Sequence, residues 1–230
     1  MRFELTDAGE RTEFWAFDVD QRLEAALAGL WWERTGTPRG QPGWRRSFAV
    51  TAEQARPAFD NTQRFLLPVL RQAADLDPVP WENALAEVCS RFEAARLDWW
   101  LCGSAALSVR GAPISPHDLD LIIAETDSVK AGELLAEGLI EPVTTSEWPL
   151  STWWGRAFLH ARIEWVGGVT AEADLPSAGD FGPVAAGRLE TVRWREWEVR
   201  VPPLDLQRAV CERRGLAKRV AMIDVLAIAT

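Results

Sequence analysis

Two short stretches hold the residue types and spacing that could do chemistry. The first is Trp99-Trp100-Leu101-Cys102-Gly103-Ser104-Ala105-Ala106-Leu107-Ser108-Val109-Arg110-Gly111, which reads as an apolar strand, a glycine turn and a short helix. The second, His117-Asp118-Leu119-Asp120-Leu121-Ile122-Ile123, reads as a further strand. A turn at a helix start leaves backbone N–H groups without partners, and such groups receive anions well. Side chains at i and i+2 of a strand share a face, so Asp118 and Asp120 lie side by side. Neighbouring carboxylates repel unless a cation sits between them, and hard divalent cations such as Mg²⁺ take oxygen ligands. The plainer alternative is a helix cap at Gly103-Ser104 with two aspartates on a solvated strand face. Against it, Asp is depleted in strands, and Leu119, Leu121, Ile122 and Ile123 mark a buried strand in which unpaired carboxylates are costly.

Taken in order, hydrophobic-Gly-Ser followed by Asp-hydrophobic-Asp-hydrophobic resembles the signature of the polymerase-beta-like nucleotidyltransferase superfamily. Its small bacterial members include aminoglycoside and lincosamide nucleotidyltransferases and components of toxin–antitoxin pairs. The resemblance covers Trp99 to Ile123 and, more weakly, the chain to its C-terminus. It implies an α/β (α+β) fold, with a mixed sheet flanked by helices. It also implies Mg²⁺ or Mn²⁺ as cofactor and ATP or another nucleoside triphosphate as co-substrate. Gly103 and Ser104 would contact the phosphates, and Asp118 and Asp120 would hold the metal. The family places a third acid on a later strand, for which Ile163-Glu164-Trp165 fits best and Asp174 is the runner-up. Glu164 would help bind a second metal or take the acceptor's proton; its plainer reading is an outward strand residue paired with Arg162 or another arginine. Family members also present C-terminal basic groups to the triphosphate. Arg208, Arg213, Arg214, Lys218 and Arg219 form such a cluster, and Lys218 is singled out because Lys130 is the only other lysine. The loop before Asp118 lacks the polar residue many relatives carry, leaving Arg110 or His117 to replace it.

Composition narrows the function classes. The 230 residues carry a formal net charge of −9, the wrong sign for non-specific nucleic-acid binding, so a polymerase or tailing enzyme is disfavoured. An acidic surface suits a cationic substrate. No run is long enough to span a bilayer and the first residues do not resemble a signal peptide, so the expected location is cytoplasmic. Cys89, Cys102 and Cys211 are scattered and odd in number, which points to reduced thiols. With only His117 and His160 beside them, a zinc site has little to draw on. There is no Gly-x-Ser-x-Gly elbow around Ser104, no Walker-type loop and no dinucleotide fingerprint.

The surrounding elements must position these residues. Residues 1–80 read as a mainly helical accessory region. A helix capped by Asp20 runs to about Glu33, Thr35 to Trp44 (with Gly36, Pro38, Gly40, Pro42 and Gly43) reads as a loop, and Thr51-Ala52-Glu53-Gln54 reads as a capping box. Pro68 is expected to kink or divide the helix that follows. Trp31-Trp32 reads as packing, with ligand stacking as the alternative. Residues 81–230 read as the catalytic domain. It opens with a helix from Trp81 to Leu97 and continues past the motif with a helix from Ser128 to Ile140. Strands then fall within Ser151 to Val169 and on either side of Arg195-Glu196, and a helix from Leu204 to Ala229 ends the chain. The expected function is transfer of a nucleoside monophosphate, AMP from ATP, to a hydroxyl of a small molecule or protein. The alternative is a degenerate fold relative that binds a nucleotide or a partner without turnover.

Overall fold

The computed structural model of the chain describes residues 1–36 and 40–229. Its N-terminal part contains β1 (Arg2–Asp7), β2 (Thr12–Phe17), α1 (Glu24–Gly29), β3 (Glu33–Gly36), β4 (Pro42–Phe48) and α2 (Ala52–Ala73). The four strands form an antiparallel sheet in the order β1-β2-β4-β3. Residues 1–80 are thus mixed rather than mainly helical. The period of two is present, with Phe3 and Leu5 alternating with polar neighbours and Phe14 and Ala16 facing the core. Asp20 does cap, accepting the Arg22 N–H at 2.9 Å, but α1 ends at Gly29 because Trp31 turns the chain at φ 65°. Much of the expected loop from Thr35 to Trp44 is strand, and its Pro38 lies outside the described residues. The Thr51–Gln54 capping box forms, and α2 continues without a break through Pro57 and Pro68. The carbonyl that Pro68 leaves without an intrahelical donor belongs to Arg64, an exposed residue.

After α2 come α3 (Trp81–Ala95), β5 (Trp99–Cys102), α4 (Gly103–Ser108), β6 (Asp118–Ile123), α5 (Ser128–Leu134), β7 (Leu139–Thr145), β8 (Trp153–Leu159) and β9 (Ala161–Gly167). Their strands build a five-stranded sheet in the order β5-β6-β9-β8-β7, in which the central β6 and β9 are parallel and every other pair is antiparallel. The chain finishes with α6 (Pro183–Ala186), the hairpin β10 (Glu190–Trp194) and β11 (Trp197–Val201), then α7 (Leu204–Arg213) and α8 (Ala217–Ala229). Two expected helices are shorter. The one beginning at Ser128 stops at Leu134: a Cβ on Gly138 would lie 2.5 Å from the Phe158 carbonyl oxygen, and the β-branched run Ile140, Val143, Thr144, Thr145 around Pro142 favours a strand. The C-terminal helix is divided at Gly215, whose φ of 68° no helix interior adopts.

Alternation along β6 and β9 separates core from site. Leu119, Leu121, Ile123, Ile163 and Trp165 enter one core with Leu85, Val88 and Phe92 of α3. The intervening Asp118, Asp120, Arg162 and Glu164 emerge on the opposite face. A second core joins Phe14, Leu27, Phe59 and Leu70 of the N-terminal part to Ile140 of β7 and Phe158 of β8. Hydrogen bonds reinforce that junction: Asn61 donates to the Leu139 carbonyl at 3.1 Å and Gln72 to the His160 carbonyl at 2.8 Å.

Candidate metal centre

One register row crosses the whole five-stranded sheet. Cys102 of β5 lies opposite Asp120 of β6, Asp120 beside Glu164 of β9, Glu164 opposite Arg156 of β8, and Arg156 opposite Glu141 of β7. One step along, Asp118 lies beside Arg162. Adjacent strands are about 4.8 Å apart, so this register alone forces the carboxylates together. Asp118, Asp120 and Glu164 offer oxygens that all lie within 4.8 Å of one another, the one such group among the described residues. Three clustered carboxylate donors fit a hard divalent cation of the Mg²⁺ or Mn²⁺ kind. Asp174 is elsewhere, its carboxylate accepting the N–H groups of Gly182 and Val184 at 3.0 and 2.9 Å.

Gly103 adjoins this group in a backbone conformation that only glycine holds at low cost. Its φ is 64°, and a Cβ added there would overlap the Asp120 carboxylate. The packing of the turn against the acid therefore sets the residue type, independently of the dihedral. Ser104 is buried at the start of α4. Cys102, beside it, donates its thiol to the Asp120 carbonyl at 3.3 Å, and burial pushes that thiol well above its ordinary range. A nucleophilic role for Cys102 is thereby disfavoured.

The electrostatics of the three acids differ. Burial, together with the charges of Asp118 and Glu164, pushes the Asp120 carboxyl from 3.8 up to about 8. Burial opposes ionisation of Glu164 as well, but the guanidiniums of Arg156 and Arg162 outweigh it and hold that carboxyl below its ordinary value. Arg156 donates from Nε to Glu164 at 2.7 Å, from Nη1 to the Leu30 carbonyl at 3.1 Å, and also to Glu141. Arg162 donates to Asp118 and forms an ion pair with Glu164 at 3.1 Å. Glu164 thus has the arginine partners that its plainer reading required, yet it lies within the acid group rather than outside it.

A cavity of about 330 Å³ opens over Gly103, Asp120 and Glu164. Its walls include Trp31, Trp148, Trp154 and Phe181, with Arg214 and Asp180 at one side. Trp31 is 45% exposed and rests against Trp154, ring centres 4.6 Å apart, whereas its neighbour Trp32 is buried. Lys218 is exposed on α8 and does not line the cavity, whereas Arg214, in the same basic cluster, does. Arg110 is engaged by Glu190 and by the Pro202 carbonyl, and His117 stands exposed 3.6 Å from Asp75, so neither is drawn to the acids. Sequence reasoning reached Arg162 only as a partner of Glu164 and Trp31 only as an alternative stacking residue; Arg156, Trp148, Trp154 and Phe181 escape it. The signal for Arg162 was its i, i+2 relation to Glu164, and for Arg156 there was none short of the β8–β9 register.

No protein-family model matches the chain, and no curated protein matches it in sequence. Among solved structures, a candidate nucleotidyltransferase from Thermotoga maritima superposes with a TM-score of 0.50 over 65% of this chain and 94% of its own, at 14% identity. The fold is that of a nucleotidyltransferase. At this identity the likeness is one of architecture alone. The lincosamide antibiotic adenylyltransferase LnuA, solved with lincomycin bound, aligns at a TM-score of 0.41 and 12% identity over 57% of this chain and 85% of its own. ANT(2″)-Ia, solved with adenylyl-2″-tobramycin, aligns at 0.38 and 13% over 64% and 96%. Within this nucleotidyltransferase fold, the acid group occupies the open face of the two central parallel strands, directly beside the glycine turn.

Proposed function

We propose that the chain is a Mg²⁺- or Mn²⁺-dependent nucleotidyltransferase that moves AMP from ATP to a hydroxyl of a small molecule or protein. The observation that carries this reading is the set of three carboxylates within 4.8 Å of one another, of which Asp120 packs against the glycine turn and, with Glu164, lines a cavity. Asp118 and Asp120 hold the cation, and Gly103 and Ser104 face the phosphates. Glu164, kept ionised by Arg156 and Arg162, completes the acid set and receives the acceptor proton. The acceptor oxygen bonds to the α-phosphorus as the bond to pyrophosphate breaks. A bound divalent ion supplies positive charge against the attacking and leaving oxygens. The protein's own share is positioning of the two reactants, so no side chain becomes covalently modified. Arg214 lines the cavity, as Lys218 does not, and supplies the basic contact to the triphosphate.

A second reading, a nucleotide-binding module without turnover, is favoured by one observation: Arg162 already neutralises part of the acid set. Pyrophosphate release separates the two. Purified chain is incubated with each nucleoside triphosphate, Mg²⁺ and hydroxyl acceptors of both classes, aminosugars and proteins, with Asp118→Asn/Asp120→Asn as control. Metal-dependent release, strongest with ATP and lost in the control, is expected. Nucleotide binding without release by any acceptor overturns the enzyme reading, and metal-dependent nucleotide binding that is absent from wild type, or that persists in Asp118→Asn/Asp120→Asn, overturns both.

A further inference from the structure

Arg162 occupies a place that the acid group itself makes unusual. It stands in register with Asp118 on the parallel neighbour strand and shares a strand face with Glu164 at i, i+2. Its guanidinium donates to Asp118 and lies 3.1 Å, Nε to Oε1, from Glu164. Two of the three carboxylates are therefore joined through one fixed cation. Arg156 donates to the same Glu164 oxygen, Oε1, and is itself 2% exposed and tied to Glu141 and the Leu30 carbonyl. Asp120 alone of the three has no arginine hydrogen-bonded to it among the described residues, and it lines the cavity with Gly103 and Glu164.

Two-metal sites hold their ions about 3.5–4 Å apart and need carboxylates that bridge or surround both. Here one oxygen of each carboxylate on the Arg162 side, Oδ2 of Asp118 and Oε1 of Glu164, already faces a guanidinium. A guanidinium cannot lose its proton under ordinary conditions, so it is a permanent occupant rather than a competitor removed by pH. Adding a second dication beside it would place like charges within a few ångströms in a partly buried site.

We propose that Arg162 is the resident second cation of this acid group, so that the site binds a single divalent ion, at Asp118 and Asp120. This rests on the metal-dependent reading above and sharpens it. The assignment gives Arg162 a positioning role: it fixes the Asp118 and Glu164 carboxylates and makes the second ion unnecessary. It also accounts for the departure from a bare acid triad without requiring the site to be inert.

Mn²⁺ titration of the full chain, followed by electron paramagnetic resonance, tests it. Wild type is expected to bind one Mn²⁺ with the spectrum of an isolated ion, both alone and with a non-hydrolysable ATP analogue. Arg162→Gln is expected to bind two, with the spectral broadening of a spin-coupled pair, and Arg162→Lys to remain at one because it keeps the charge. Coupled Mn²⁺ pairs in wild type, or a single ion in a folded Arg162→Gln, overturn the proposal. The wild-type result is decisive even if Arg162→Gln does not fold. If neither wild type nor variant binds Mn²⁺, the metal-dependent reading itself fails, an outcome distinct from a wrong stoichiometry.

Discussion

Asp120 concentrates the conflict between stability and chemistry. Its carboxyl titrates at about 8 when folded against an ordinary 3.8, because burial and two neighbouring carboxylates disfavour its charge. Between those values the folded chain holds a proton that the unfolded chain has lost. Stability of the metal-free protein therefore falls as pH rises through that window. Asp120→Asn removes the ionisable group, so in thermal melts at pH 8.5 without metal it is expected to melt above wild type, with the difference shrinking toward pH 4. Equal melting temperatures at both pH values would contradict this. The same group predicts that Mn²⁺ binding releases a proton and tightens with pH up to about 8. Gly103 gives a prediction of opposite sign. Gly103→Ala places a side chain at φ 64° and drives its Cβ into the Asp120 carboxylate. It should cost at least about 1–2 kcal/mol from the left-handed backbone alone. Urea denaturation is expected to show the lower midpoint, and Mn²⁺ titration a weakened site.

At the scale of elements, the row from Cys102 to Glu141 explains what the sequence could and could not disclose. Asp118 and Asp120 were legible because an i, i+2 pair on a strand needs only local geometry. Glu164 was singled out because the family resemblance implies a third acid between hydrophobic residues on a later strand, and its pairing with Asp120 is a register between strands distant in the chain, which no local pattern encodes. Arg156 was invisible for the same reason. It follows a glycine in β8, and only pairing with β9 brings it to Glu164. The strands β1, β2 and β7 were missed for different reasons: β1 alternates but is short and largely exposed, whereas β2 and β7 are buried along most of their length, and a short apolar run does not distinguish strand from helix by its period. The basic residues from Arg208 to Arg219 could be marked in the sequence, yet which of them meets the cavity depends on the turn at Gly215, so Arg214 could not be told from Lys218. Arg156 also carries the prediction at this scale. Arg156→Met leaves Glu141 and Glu164 buried without their shared partner, and breaking a buried pair in this way costs about 3–5 kcal/mol. Chemical denaturation should register that loss, and a change below about 1 kcal/mol, the range of exposed pairs, would mean that solvent reaches the row.

Across the whole molecule, the division at residue 80 separates roles more than folding units. Residues 81–230 carry the acids and the glycine turn, but the wall of the cavity depends on the first 80 residues: Trp31 packs on Trp154, and the Leu30 carbonyl accepts a hydrogen bond from Arg156. Ile140 and Phe158 of the five-stranded sheet are buried among Phe14, Leu27, Phe59 and Leu70. Removing residues 1–80 would expose that apolar face of β7 and β8 together with carbonyls now paired to Asn61, Thr62 and Gln72. A contiguous apolar surface of this kind drives association, and unpaired edge groups add to it. Residues 81–230 produced alone are therefore expected to aggregate or to unfold without a cooperative transition, as judged by light scattering and circular dichroism. A monomeric fragment that melts cooperatively and binds Mn²⁺ as tightly as the full chain would show instead that the site is built entirely by the second part. A milder probe keeps the fold intact. Trp31→Ala trims the cavity wall from the N-terminal side without touching the acids, and is expected to leave Mn²⁺ affinity unchanged while weakening acceptor use, seen as a higher acceptor KM at similar kcat. Should Trp31→Ala lower Mn²⁺ affinity instead, the first 80 residues would be holding the acid row itself, through the Leu30–Arg156 contact, rather than shaping the space above it.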